Sequence, residues 1–231
     1  MDTSLQKGVL EEGLALLCRG DPDVEALLGS NIDRALRLLT KYIYEIELYN
    51  PTLGLVGTTE HRELVIRHIL DSLSPLGILQ RLVREQGGVP CIADVGSGAG
   101  LPGIPLAIAL PDCSFTLVER KTRRAEFLRN VLPALGLSNA KVEEREMEKA
   151  PRFRFGIITF RAFRPLDPAI LKGLFRLLAP GGVLAAYKGR QEKIAVEMGA
   201  IGELVGSWEA IPCPVPFLDE ERHLVIIRPR V

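Results

Sequence analysis

The residues with most chemical content are Asp94-Val95-Gly96-Ser97-Gly98-Ala99-Gly100, where a short apolar run ends in three glycines spaced by two. Leu101 to Leu110 then reads as a helix. A buried strand that delivers the chain into a glycine turn and a helix lets backbone approach a ligand closely and leaves N–H groups facing it. Gly98 to Gly103 satisfies the dinucleotide formula G-x-G-x-x-G, but Pro102 and Pro105 remove donors that a pyrophosphate would use. No Gly-Lys-Ser/Thr follows, which excludes a Walker A loop. A less anionic nucleoside cofactor fits better, and S-adenosylmethionine, with its amino acid end on the glycines, suits the turn. Glu119 stands about 20 residues further on, at the end of the next apolar segment, where a carboxylate can accept both hydroxyls of a ribose.

A second set of residues is cationic. Arg161 closes the fourth expected strand, beside the reactive end of such a cofactor, and Lys188 follows the fifth. Arg222 and His223 open the last strand, and Arg67, His68 and Asp71 share a helix expected over 60–73. His68 reads either as a hydrogen-bond partner of Asp71 that fixes the helix or as a substrate contact. Lys121, Arg123, Arg124 and Arg129 lie on a basic helix over 121–135, either a solvated face or a phosphate-binding surface. Trp208, alone in the chain, is expected to pack beneath a sheet edge.

The elements that must hold these groups follow from periodicity. Apolar segments at 92–95, 114–118, 140–144, 155–160, 183–187, 204–211 and 224–227 alternate with helical patterns until the last two, which lack a clear helix between them. That pattern predicts a seven-stranded doubly wound α/β sheet with its last strand antiparallel, the Rossmann-like architecture of class I S-adenosylmethionine-dependent methyltransferases. Residues 1–88 read as all-helical, an N-terminal cap, and 89–231 as the methyltransferase domain. The proline-rich stretch 211–216 can only be a loop or edge segment.

Composition sets bounds. The 231 residues are 47% hydrophobic, enough for a full core. No stretch is long and apolar enough to span a bilayer and no signal-peptide pattern opens the chain, so a soluble, cytoplasmic protein without a membrane partner is expected. Four scattered cysteines predict reduced thiols rather than a disulfide framework or a metal site. The net charge is zero, but residues 1–66 hold 11 acidic and 6 basic side chains against 18 and 23 in the remainder. Overall charge therefore gives a nucleic-acid partner no support, leaving a local patch as its only route.

Five signatures occur in order: Arg67-His68-Ile69-Leu70-Asp71-Ser72, Asp94 to Pro105, Arg161-Ala162-Phe163, Tyr187-Lys188-Gly189 and Glu221-Arg222-His223-Leu224-Val225. Together they make the chain, from about Ile32 to Ile227, closely resemble the bacterial RsmG proteins, also called GidB. These methylate N7 of a guanine in 16S ribosomal RNA with S-adenosylmethionine. The resemblance implies a methionine-end pocket from Asp94, Gly96, Ser97, Gly98 and Gly100 with Leu101, a ribose contact at Glu119, and an adenine edge at Glu146 and Met147, with Arg145 and Arg161 also near the cofactor. It implies rRNA or target-base contacts at Arg145, Arg161, Lys188, Arg222 and His223, with Arg161, His68 and Lys188 the catalytic candidates. Arg67 and Asp71 fall on the active-site side of the cap, and Arg123 and Arg124 on the possible phosphate surface. One departure stands out: the family's Trp-Asn pair and following Asn-Leu-Thr become Tyr49-Asn50 and Gly54-Leu55-Val56, leaving Asn50 as the surviving polar substrate candidate. The implied partner is 16S rRNA, a 30S subunit or an assembly intermediate, met by a monomer. The rival readings are a methyltransferase acting on a protein or small molecule, a non-catalytic RNA-binding relative, and, least of all, a nicotinamide enzyme.

Overall fold

In a computed structural model, residues 3–88, 90–162 and 165–230 are described, with side chains from residue 8 onward. Phe163 of the third signature lies outside the described residues. The chain begins with α1 (Thr3–Gly20), α2 (Pro22–Leu28) and the long α3 (Ile32–Leu53). Asp21 caps α2 by accepting from the Asp23 N–H, with Pro22 at the first helical position. The segment expected over 60–73 is helical throughout but not uniform: α4 (His61–Leu64) passes into a π-helical turn (Val65–Leu70) and then α5 (Asp71–Leu73). Helix α6 (Leu76–Glu85) completes the N-terminal region.

The seven expected strands form one sheet: β1 (Cys91–Val95), β2 (Ser114–Glu119), β3 (Ala140–Glu144), β4 (Phe155–Arg161), β5 (Leu178–Lys188), β6 (Val205–Pro212) and β7 (His223–Pro229). Between them run α7 (Gly103–Ala109), α8 (Thr122–Leu135), α9 (Pro168–Leu177) and α10 (Gln191–Ile201). The order is β3-β2-β1-β4-β5-β7-β6, with β7 antiparallel to both neighbours. The last strand slots inside the sheet because Leu224 to Ile227 is apolar on both faces and needs two flanking strands, whereas β6 carries Gly206, Ser207 and Glu209 and ends at Pro212, as an edge strand can. Trp208, on that edge, does not pack beneath the sheet; it is 39% exposed.

Alternation along the strands divides the core. Ile92, Phe115, Leu117, Ile157 and Ile226 face one side, with α7, α8 and the buried residues of the N-terminal helices. Ala93, Val95, Val118, Ile158 and Val225 face the other, against α9 and α10. The N-terminal helices therefore share a continuous core with one sheet face instead of enclosing a core of their own. Two buried hydroxyls sew them on: Tyr42 donates to the Ala99 carbonyl at 2.7 Å and Tyr187 to the Ser72 carbonyl at 2.8 Å. The chain order reverses between β1 and β4, so a crevice opens at their carboxyl ends.

Candidate active site

Gly96, Gly98 and Gly100 all have positive φ, at 75°, 59° and 95°, and these dihedrals turn the chain out of β1. Asp94 is fully buried beneath the turn. Its Oδ2 accepts from Ser97 Oγ at 2.7 Å and from the Gly103 N–H at 3.0 Å, while Oδ1 has no protein partner among the described residues. Burial pushes the Asp94 carboxyl up to about 6, against the pull of the Ser97 and Gly103 hydrogen bonds. Glu119, at the end of β2, accepts from the Gly98 N–H at 2.9 Å and the Lys121 N–H at 2.8 Å. Each of its oxygens keeps a second lone pair.

A cavity of about 420 Å³ lies against this turn, lined by Gly96, Glu119, Arg145, Glu146 and Met147 among others. The residues present fit S-adenosylmethionine: Glu119 in the lining offers a carboxylate to the ribose, buried Met147 offers an apolar wall, and Asp94, buried beneath the turn and outside the lining, keeps one carboxylate oxygen without a protein partner for a cationic amine. Of the expected cofactor residues, Asp94, Ser97, Gly98, Gly100 and Leu101 build the turn without lining that cavity, and Arg161 lines the second cavity instead. Arg145 Nε lies 3.5 Å from Glu143 Oε2, and Glu146 pairs with Lys149 at 2.9 Å.

A second cavity, of about 390 Å³, is lined by Arg67, His68, Asp71, Arg161, Lys188, Arg222 and His223 with Phe160, Tyr187 and others. Seven residues from four separate signatures thus meet in one place. Among the described residues, Ala162 alone lines both cavities, and it holds φ at 48°, in the left-handed region that a residue with a Cβ rarely adopts. The bend aims the chain after β4 between the cofactor cleft and the second cavity.

The polar groups around the second cavity are tied to one another. Asp71 accepts from Arg161 Nη1 at 2.7 Å and from Arg222 Nε at 3.0 Å, and its side chain is only 7% exposed. Arg161 Nη1 also reaches the carbonyls of Arg67 and His68, at 3.2 and 3.4 Å, on the π-helical turn. A π turn offsets the helical ladder and makes such carbonyls available to an outside donor. His68 does not bond to Asp71, as one reading of the sequence expected. Its Nδ1 faces Arg161 Nη2 at 3.1 Å, and because a guanidinium has no acceptor, that nitrogen is the lone-pair side of a neutral ring. Burial and the Arg161 and Arg67 charges push its pKa down to about 4. Lys188 Nζ pairs with Glu197 Oε1 of α10 at 2.8 Å and lies over the Phe160 ring, and His223 Nδ1 is 2.6 Å from the Gly189 carbonyl.

A strap formed by the β6–β7 connection closes the far side. Arg62 stacks on Phe217, with 5.6 Å from guanidinium to ring centroid; Arg67 Nη2 meets Glu220 Oε1 at 2.8 Å; and Arg222 joins Asp71. Arg123 is exposed on α8, while Arg124 Nη2 donates to the Gly54 carbonyl at 2.9 Å. Asn50 is 8% exposed and spends its amide inside the fold, on the Thr58 carbonyl and the Val56 N–H. It stands apart from both cavities and does not join the cluster.

Residues 35–225 match the model of the GidB family, described as rRNA small subunit methyltransferase G. The chain belongs to the GidB family. The ribosomal RNA small subunit methyltransferase G of Treponema denticola is 34% identical over an alignment of 254 positions, covering 98% of this chain and 99% of its own length. That of Stenotrophomonas maltophilia strain K279a is 39% identical over 210 residues, covering 88% and 92%. Among solved structures, the tRNA methyltransferase TrmI from Aquifex aeolicus aligns with a TM-score of 0.55 at 16% identity, over 82% of this chain and 76% of that one. A SAM-dependent methyltransferase from the same organism gives 0.51 at 17% identity, over 68% and 92%. The fold is Rossmann-like, and this GidB-family chain is an S-adenosylmethionine-dependent methyltransferase.

Gly54 ends α3 in the left-handed conformation, with φ and ψ of 54° and 53°, a site that suits Gly or Asn. Tyr42, Glu197 and Glu220 were not singled out as site residues from sequence, since nothing in a helical tyrosine or a surface carboxylate announces a partner many residues away.

Proposed function

We propose that this GidB-family chain transfers a methyl group from S-adenosylmethionine to N7 of one guanine in 16S rRNA. The observation that carries this reading is the junction at Ala162, where a cation-rimmed cavity opens beside the cofactor cleft. S-adenosylmethionine supplies an electrophilic sulfonium methyl. Guanine N7 presents an in-plane lone pair that is unprotonated at neutral pH, so the protein need not remove a proton from it. The side chains accord with that economy. The neutral His68 Nδ1 is engaged by Arg161, Asp71 is held between two arginines, and Lys188 is paired with Glu197. What the residues do is position: Asp94, Glu119 and the glycine turn hold the cofactor, while Arg161, Lys188 and His223 orient the base and balance the charge that moves onto its ring.

Residues 1–88 act as the cap that brings Arg67, His68 and Asp71 to the base. Both cavities are built from one chain, which supports action as a monomer, and an rRNA substrate supports work in the cytoplasm, on 16S rRNA or a 30S particle. The test is transfer of labelled methyl to purified 30S subunits lacking the modification, followed by mapping of the labelled atom. Label confined to a single guanine N7 is expected. Label on protein, on a small molecule or on another base atom would overturn the assignment.

A further inference from the structure

Resting on the RNA reading above, we propose that Arg67 and Arg222 form a phosphodiester-binding subsite at the mouth of the second cavity, and that Glu220 occupies it until nucleic acid displaces it. The two arginines come from distant elements, the π-helical turn and the strap before β7. They converge on one carboxylate: Arg67 Nη2 lies 2.8 Å from Glu220 Oε1 and Arg222 Nη2 lies 3.1 Å from Glu220 Oε2. One guanidinium on each oxygen of a tetrahedral or planar oxyanion is the arrangement that also grips a phosphate.

The occupant is paired with both arginines, which hold its carboxyl down at about 2, but it stands in solvent that screens those pairs. Glu220 is 50% exposed and Arg67 40% exposed, and exposed ion pairs contribute little net stability. Arg222, by contrast, is fixed independently of it, while Arg67 has besides Glu220 a longer contact of 3.8 Å to Glu63 on the preceding helical turn. Arg222 Nε is anchored on Asp71, its carbonyl accepts from the Cys213 N–H at 2.8 Å, and its Nη1 reaches the Glu221 carbonyl. Glu221 is tied separately to the Gln191 N–H at 3.0 Å, and Phe217 sits against Arg62. Neutralising Glu220 therefore leaves the strap in place and releases the Nη2 ends of Arg67 and Arg222 beside the cavity, with Arg222 still held by Asp71 through Nε. The carboxylate also serves specificity: it repels any anion that does not make enough contacts elsewhere to displace it.

The experiment measures binding of transcribed 16S rRNA to wild type, Glu220→Gln, Asp219→Asn and the double variant Glu220→Gln/Arg67→Gln, across a salt series. Asp219 is an exposed neighbouring carboxylate, so its variant removes the same charge without touching the subsite. Expected is an affinity gain of about three- to tenfold for Glu220→Gln with a steeper salt dependence, no comparable gain for Asp219→Asn, and loss of the gain in the double variant. A Glu220→Gln affinity equal to or below wild type, an equal gain for Asp219→Asn, or a gain that survives loss of Arg67 each overturns the subsite. Because this assay reads binding, it stays separate from the functional reading: wild type that transfers no methyl to 30S subunits sinks that reading, whatever Glu220→Gln does.

Discussion

Arg161 Nη1 lies 2.7 Å from Asp71 Oδ2, joining the end of β4 to the N-terminal helical segment across 90 residues of sequence. The same carboxylate holds Arg222, so one buried anion organises three walls of the second cavity. Removing it takes a carboxylate from two mostly buried guanidiniums, of which Arg222 keeps its pair with Glu220. Asp71→Ala is expected to cost about 3–5 kcal/mol of stability, the usual range for breaking a buried pair by deleting one partner. Urea denaturation measures this, and an unchanged midpoint would show that the cavity walls do not depend on the carboxylate.

Ala162 separates the two cavities with a side chain of one carbon. Enlarging it to leucine fills the junction and strains a backbone already at positive φ. Ala162→Leu should bind S-adenosylmethionine within about threefold of wild type yet lose about a hundredfold or more in methyl transfer, since misplacing reactants by about 1 Å costs that much. Ala162→Gly, which relieves the φ, should keep transfer. Calorimetric cofactor titration beside single-turnover transfer separates the two effects; equal losses in both would place Ala162 in cofactor binding instead.

Two buried groups give opposite pH dependences. Burial pushes the Asp94 carboxyl from the ordinary 3.8 up to about 6, so the folded protein binds an extra proton between those values. Its contribution to stability is full below about pH 3.8 and is lost as pH rises through 6. His68, lowered from 6.5 to about 4, does the reverse: its contribution is full above 6.5 and disappears as pH falls through 4. A cationic cofactor amine needs the ionised Asp94, so S-adenosylmethionine affinity should rise as pH climbs from about 5 to 7 and flatten in Asp94→Asn. Calorimetry over that range tests it, and an Asp94→Asn profile with the wild-type slope would remove Asp94 from cofactor binding.

Tyr42 supports the glycine turn from the opposite side of the fold. Tyr42→Phe leaves the Ala99 carbonyl without its hydroxyl donor in a buried setting, at a cost of about 1–3 kcal/mol. The expected result is a lower unfolding midpoint together with weaker cofactor binding. A stability loss with unaltered cofactor affinity would confine Tyr42 to holding the helices on the sheet.

The local instructions were legible in the chain. Short apolar runs marked all seven strands, the glycines at 96, 98 and 100 marked a turn that takes positive φ, and Glu119 declared itself by standing at a strand end. The ordered signatures named many residues of the second cavity, and all seven of its charged and histidine side chains were drawn from them. Tertiary structure decided the rest, because pairing between distant residues leaves no local periodic trace. It inserted β7 between β5 and β6, merged the helical region with one sheet face and exposed Trp208. It also gave His68 to Arg161 rather than Asp71, closed Asn50 onto its own loop and set Glu220 between two arginines. Burial on both faces, desolvation of charge and competition among donors for one carboxylate are properties of the assembled molecule, and residue order alone states none of them.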